Sequence, residues 1–323
     1  MGMWLAIPAD AVSISPVQTV SNTVILNGVT CTSATACIAT GDTTSDTGVV
    51  VPITNGVPGA AQTVGSGAGL TDLACPTPTM CEGVGFNGGG IVTSIANGVP
   101  GASDPVPGAF ALDGVACENA TTCVAVGPTG EAGSMAAVVT ITNGIPDAAQ
   151  ILDSLVVLYG VACPTATLCV AVGYGGPDGD GAVLPIISGA PGTPDFVPGT
   201  GYLAGVACPT DSNCEAVGST AFGDDPNVLP EGVTVPVIGG VPGDAQLVAG
   251  TYSLNGVGCT TLATCVAVGD DTSGGAVVPI TSGAAGVEEP VSGSEALQGV
   301  ACAVPTACEA VGDTPGASSE GLV

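Results

Sequence analysis

Leu158-Tyr-Gly-Val-Ala-Cys-Pro-Thr-Ala-Thr-Leu-Cys-Val-Ala-Val-Gly173 occurs seven times in variant form, and the rest of the chain fits between its copies. Each copy carries two cysteines with five residues between them: Cys31/Cys37, Cys75/Cys81, Cys117/Cys123, Cys163/Cys169, Cys208/Cys214, Cys259/Cys265 and Cys302/Cys308. From first cysteine to first cysteine the steps are 44, 42, 46, 45, 51 and 43 residues. Self-similarity at a period of about 45 marks a repeat protein.

Four apolar runs make up one repeat. In the first they are Leu26–Cys31, Cys37–Thr40, Val49–Ile53 and Ala61–Val64. Each is rich in Val, Ile and Ala, is bounded by turn residues, and is too short for an ordinary helix. The separators are turn chemistry, such as Asn55-Gly-Val-Pro-Gly59, where Asn-Gly supplies positive φ and Pro a fixed one. Four short strands per repeat, arranged radially, predict an all-β, seven-bladed β-propeller. Labelled from the axis outward, the strands of a blade are a, b, c and d, and the repeated stretch is strand a, a five-residue turn and strand b.

The ends of the chain sharpen this. Ala11–Val20 looks like the second half of a repeat, and the chain stops at Gly321-Leu-Val323, where the third run of the seventh repeat would begin. The N-terminal segment is therefore expected to complete the blade begun at Leu297 and close the ring, leaving no unpaired blade edge. The blades read as 25–67, 70–109, 112–155, 158–200, 203–251, 254–294 and 297–323 plus 11–20, within one domain spanning 1–323. Residues 1–10 carry Trp4, Leu5 and Ile7 but no basic residue. They read as a signal remnant or a tail rather than a complete secretory signal.

The chain has 28 Asp plus Glu and no Lys, Arg or His. No side-chain salt bridge can form, and nothing is available to neutralise a phosphate backbone, so nucleic acid is excluded as a partner. No imidazole can serve as base or metal ligand, and no Lys or Arg as Schiff-base former or anion clamp. Hydrophobic residues make up 46% of the sequence, which argues against disorder. No uninterrupted apolar run reaches the roughly 18–20 residues of a membrane span.

Seven evenly spaced cysteine pairs are the arithmetic of a disulfide framework and of an oxidising compartment. The partners are expected opposite each other where each a–b turn closes, at cross-strand Cβ separations of about 4.5–5.5 Å. Zinc is the rival reading. A gap of five residues, the absence of His and the dispersal of one pair per blade argue against it.

Leu-x-Gly-Val-x-Cys, five residues, then Cys-x-Ala-Val-Gly resembles a repeat of secreted or surface-exposed β-propeller-like proteins of actinobacteria. The resemblance covers nearly the whole chain. Typical members carry Asp-Gly-x-x-Trp where this chain has Asn55-Gly-Val-Pro-Gly59, and the Trp is missing from every repeat here. The resemblance implies fold and a secreted or surface location, and offers no catalytic residues.

Candidate chemistry lies in three places. Acidic residues concentrate in the b–c loops, where Asp178-Gly-Asp180-Gly and Gly-Asp224-Asp225 place paired carboxylates among glycines, as calcium sites do. Solvated turns use the same residues, and neither segment completes a calcium-loop pattern. Glu82, Glu215 and Glu309 share the position after the second cysteine, in blades too far apart for a glycosidase-like pair; they read as rim carboxylates beside the turn. The strand-a positions Asn27, Thr71, Asp113, Tyr159, Ala204, Asn255 and Gln298 are expected to face the central channel, a mixed polar set without an evident electrophile or base. The few aromatics near blade starts, Phe110, Tyr159, Tyr202 and Tyr252, read as packing between blades. The expected function is a non-catalytic binding or structural module, secreted or at the cell surface, with a protein or glycan partner and no cofactor. A calcium-dependent adhesin or carbohydrate-active propeller using loop carboxylates is the alternative. Carboxylates repelling one another without cations predict raised pKa values and greater stability near pH 4 than near pH 8.

Overall fold

The computed structural model describes residues 14–130, 135–152, 156–221, 229–261, 264–305, 307–316 and 319–323. It contains seven antiparallel sheets, one per repeat. Blade 4 is representative: strand a is Val156–Thr165, b is Leu168–Gly175, c is Asp180–Ile187, and d is split into Ala190–Pro191 and Asp195–Val197. The seventh blade closes the ring as expected. Its strands run Ala296–Val304, Ala307–Asp313, Gly321–Leu322 and, outermost, Thr19–Val20 from the other end of the chain. Gln18 and Val323 exchange backbone hydrogen bonds of 2.9 Å across this seam. Ala11–Ser13, part of the segment read as closing the ring, lie outside the described residues.

One strand boundary differs from the sequence reading. The run Asn55–Gly59 was expected to be a separator, but only Asn55-Gly56 turns, with φ of 52° and 70°, as a two-residue hairpin requires. Val57–Pro58 already belongs to strand d. The d strand is then interrupted, because the Gly59 N–H donates to Pro52 O at 2.7 Å. A residue's N–H and C=O point to the same side of an antiparallel strand, so the absent N–H of Pro52 faces the interruption. Pro185, Pro236 and Pro279 repeat the arrangement with Gly192, Gly243 and Gly286. Proline is tolerated here because no ladder hydrogen bond is lost.

The core sits between blades. The leucine that opens the repeated stretch (Leu26, Leu70, Leu112, Leu158, Leu203, Leu254 and Leu297) is buried in every copy. Strand c is buried on both faces, as in Ala182-Val-Leu184 and Ile186, which explains its continuous apolar run. One cluster joins Val124, Val126 and Val138 of blade 3 to Leu158, Leu184 and Ile186 of blade 4. Buried hydroxyls at the blade-to-blade connections tie strands c and d of one blade together. Thr200 donates to Val197 O (2.6 Å) and accepts from Gly181 N (2.8 Å). Thr23 does the same for Val20 O and Gly321 N, at 2.6 and 3.0 Å, across the closing seam.

The repeated stretch itself is shaped by a β-bulge. Leu158 pairs with Gly173 and Gly160 with Val172, so Tyr159 has no partner on strand b. The same shift occurs after Leu26, Leu70, Leu203, Leu254 and Leu297. The bulge presses strand a onto the glycine of strand b: a Cβ on Gly173 would lie 1.8 Å from Val157 O. The corresponding distance is 2.0 Å at Gly41 and 2.4 Å at Gly127. Only glycine fits. The strand-a glycines are tight as well, since a Cβ on Gly205 would lie 3.0 Å from Asn255 O of the next blade and one on Gly256 equally close to Gln298 O. Replacement Gly173→Ala is therefore expected to cost about 3 kcal/mol or more, because the obstruction is backbone and cannot rotate away. A denaturant melt within 0.5 kcal/mol of the parent would contradict the bulge.

Candidate functional site at the channel mouth

Antiparallel blades place all a–b and c–d turns on one face and all b–c loops and d–a connections on the other. The disulfides Cys31–Cys37, Cys75–Cys81, Cys117–Cys123, Cys163–Cys169, Cys208–Cys214, Cys259–Cys265 and Cys302–Cys308 occupy the first face, one per blade. A cavity of about 560 Å³ opens there, lined by Leu73, Val115, Val161 and Val206 and by Glu118, whose carboxyl burial pushes up. Its aliphatic walls are repeat positions that serve the fold.

The other end of the channel is different. The positions expected to face it are Asn27, Thr71, Asp113, Tyr159, Ala204, Asn255 and Gln298; a bulge takes six of them out of the ladder, and Asp113 stands directly ahead of strand a of blade 3, Gly114–Cys117. Several bridge to the next blade at one recurrent acceptor, the carbonyl of the opening leucine. Asn27 Nδ2 donates to Leu70 O (3.1 Å), Thr71 Oγ1 to Leu112 O (2.6 Å) and Asn255 Nδ2 to Leu297 O (3.0 Å). A second ring comes from the residue after the strand-b glycine: Asp42, Phe86, Pro128, Tyr174, Ser219, Asp270 and Asp313. These positions pair with the residues just before the bulge leucines, as Ser253 with Asp270 and Val157 with Tyr174.

The two rings divide the mouth into halves. Blades 6, 7 and 1, contiguous through the closing seam, carry carboxylates. The Ser253 hydroxyl donates to Asp270 and lies 3.0 Å from the Asn255 amide oxygen. Gln298 donates to Asp313, and Asn27 Nδ2 to Asp42 Oδ2 at 3.1 Å. Burial raises the pKa of Asp42, Asp270 and Asp313, and the donated hydrogen bonds offset part of the rise. Blades 2 to 5 carry aromatics. Phe86 packs on Phe110 with ring centroids 5.1 Å apart. Tyr159 stacks on Tyr174 at 5.9 Å and meets Tyr202 edge-on at 6.4 Å. Desolvation, then the neighbouring Tyr174, Asp113 and Tyr202, push Tyr159 up to about 12. Phe86 and Tyr174 belong to this set of positions, which sequence reading missed. The available signal was variation, since their position holds seven residues of five types in an otherwise repetitive stretch.

The other candidate positions are not brought together. Asp178 is exposed in the b–c loop of blade 4, and Asp180 begins strand c, paired with Gly175. Asp224 and Asp225 lie outside the described residues. Among the described residues no group of three or more His, Cys, Asp or Glu is placed to hold a metal ion. Glu82, Glu215 and Glu309 stay in separate blades, but the first two are not solvated rim groups: each is 6% exposed. Strand b is covered on both faces, so a residue next to the buried cysteine is buried too. Ser94 donates to Glu82 at 2.8 Å, and burial pushes Glu215 up to about 7.

No family model and no curated protein matches the chain, so no match bears on the repeat family that the stretch resembles. Solved structures match over its full extent. A structure described as "Structure of U3-55K" aligns with a TM-score of 0.68 at 10% identity, covering 97% of this chain and 98% of that one. A "Crystal structure of RRP9 WD40 repeats" aligns with a TM-score of 0.67 at 11% identity, covering 97% and 98%. At such identities the likeness shows the fold alone. No helix among the described residues is long and apolar enough to cross a membrane, and the disulfides are consistent with an extracellular protein. The chain is a closed seven-bladed β-propeller with one disulfide in each blade.

Proposed function

We propose that the protein is a non-catalytic binding module of an oxidising, extracellular or cell-surface setting, and that it recognises its ligand at the channel mouth opposite the disulfides. One observation carries this reading. Leucine, glycine, valine, cysteine and the strand-b glycine recur from blade to blade because the fold needs them, whereas the first ring changes side chain from each blade to the next and the second holds five residue types, with only Asp recurring. A seven-fold scaffold thus presents a surface without seven-fold symmetry, as recognition of one ligand requires. The mouth offers hydrogen-bond acceptors on one side and aromatic faces on the other. That combination suits a neutral or cationic glycan or polypeptide, and a chain with 28 acids and no cationic side chain repels polyanions.

The test is calorimetric titration of the oxidised protein with a panel of defined neutral, amino-bearing and acidic oligosaccharides and of basic and acidic peptides, at low and physiological salt. A neutral or cationic member binding with a stoichiometry of one is the expected result. Seven sites per chain would place binding on the repeated scaffold instead, and preference for an acidic member would contradict the reading outright.

A further inference from the structure

Asp113 is out of place in its ring. The bulge position supplies a donor to the next blade's leucine carbonyl where Asn27, Thr71 and Asn255 stand, and an ionised carboxylate cannot donate. Its backbone N–H is used, donating to Val126 O at 2.8 Å, but the fold gives no reason for the carboxylate. The next blade brings the Tyr159 backbone against the residue that follows Asp113, since a Cβ on Gly114 would lie 2.6 Å from Tyr159 O, and the Asp113 charge is near enough to raise the Tyr159 hydroxyl. Tyr159 in turn gathers Tyr174 and Tyr202 at ring-centroid distances of 5.9 and 6.4 Å. Three of the chain's four tyrosines thus meet, the charge of Asp113 acts on the first of them, and none is fully buried. A carboxylate next to a group of partly exposed aromatic rings, in a protein with no cationic side chain, attracts a positive group through charge and through the ring quadrupoles together.

Building on the proposed recognition at the mouth, we infer that Asp113, Tyr159, Tyr174 and Tyr202 form a subsite for an organic ammonium group, as carried by an amino sugar, a lysine side chain or a quaternary amine. Asp113 neutralises the charge, and the tyrosines cover the apolar surface around the nitrogen. The subsite occupies the junction of blades 3, 4 and 5, on the aromatic side of the mouth. The acidic arc of blades 6, 7 and 1 lies across the channel and is left to the rest of the ligand.

Tetramethylammonium chloride is the probe, with neopentyl alcohol as its neutral counterpart of similar shape, titrated at constant ionic strength and followed by tyrosine ring proton shifts. Saturable binding about tenfold tighter for the ammonium than for the alcohol is expected. Asp113→Asn places at blade 3 the amide that blades 1 and 6 carry at the same position, and Asp113→Thr copies blade 2. Both are expected to fold and to lose about tenfold in ammonium affinity. Equal binding of the two probes, no binding of the ammonium, or unchanged affinity in both variants would overturn the subsite. A panel ligand that still binds one to one under those results would leave recognition at the mouth standing and remove only the ammonium assignment. Loss of both would remove the two together.

Discussion

Reduction of the seven disulfides is expected to abolish cooperative folding at 37 °C and neutral pH. Each disulfide joins residues six apart in sequence across an a–b turn. The chain-entropy relation gives roughly 2.4 kcal/mol for so short a loop. The cross-links lie in separate blades and share no partners, so their contributions add to a good approximation. Their sum exceeds the roughly 5–15 kcal/mol of a typical net stability. Little else compensates. No salt bridge is possible in a chain without cationic side chains, and the core is built mainly of Val and Ala with few large side chains. The second cysteine is buried in every blade except the seventh, so complete reduction is carried out on the unfolded chain. The measurement is circular dichroism of protein unfolded, reduced, thiol-counted and returned to buffer with reductant. A cooperative melt within a few degrees of the oxidised protein, with fourteen free thiols confirmed, would contradict the prediction.

A large loss of stability is also expected between pH 4 and pH 8 at low salt. The raised groups include Asp72 and Asp113, each pushed up to about 6, and Glu215, pushed up to about 7. Burial is the leading cause in each. This corrects the sequence reading, which attributed the rise to mutual repulsion: repulsion contributes at Asp42 and Asp313, but behind desolvation. A carboxyl group raised in the folded state contributes stability that is fully present below its unfolded value near 4. That stability is lost as pH rises through the folded values of about 6 to 7, and the profile is flat beyond. Asp271 has the opposite sign, because hydrogen bonds from Ser273 and Gly274 outweigh its burial, but it is one group against ten raised ones.

Asp72 isolates the effect. It stands where the other blades carry the strand-a glycine, and its carboxylate accepts from Val115 N at 2.9 Å. Asn can keep that acceptor without charge. The variant Asp72→Asn is expected to gain about 2–3 kcal/mol at pH 8 and almost nothing at pH 4. Paired denaturant melts at the two pH values check it. A parent protein that melts higher at pH 8 than at pH 4, or an Asp72→Asn gain equal at both, would contradict the account.

The repeat made most of the fold legible, because the same physical demand is written seven times. Cysteines opposite each other, the buried opening leucine and the unfinished last blade all follow from aligning the copies with one another. What stayed hidden depends on register. The bulge at Tyr159 leaves no mark in composition, so nothing in the sequence singled out Gly173 of strand b as the one residue that the Val157 carbonyl permits. Register also decides which residues lie together, and so Tyr159 could be expected at the channel while Tyr174, from a different strand, could not be joined to it. Glu82 and Glu215 were misjudged because a charged side chain argues for solvent, whereas strand b here is covered on both faces. The Asp178 and Asp180 loop shows the reverse: a suggestive local spacing to which the fold adds no third ligand among the described residues.

The scaffold positions make the fold, and the proposed recognition rests on the mouth positions alone. The two roles separate when the aromatic side of the mouth is given the residues of other blades: Asp113→Asn, Tyr159→Asn and Tyr174→Ser together. Binding of the panel ligand and the melting temperature are then measured on the same preparation. The account predicts a melting temperature within a few degrees of the parent and loss of binding by about a hundredfold. Retained affinity in a folded variant would contradict it and place recognition elsewhere on the propeller.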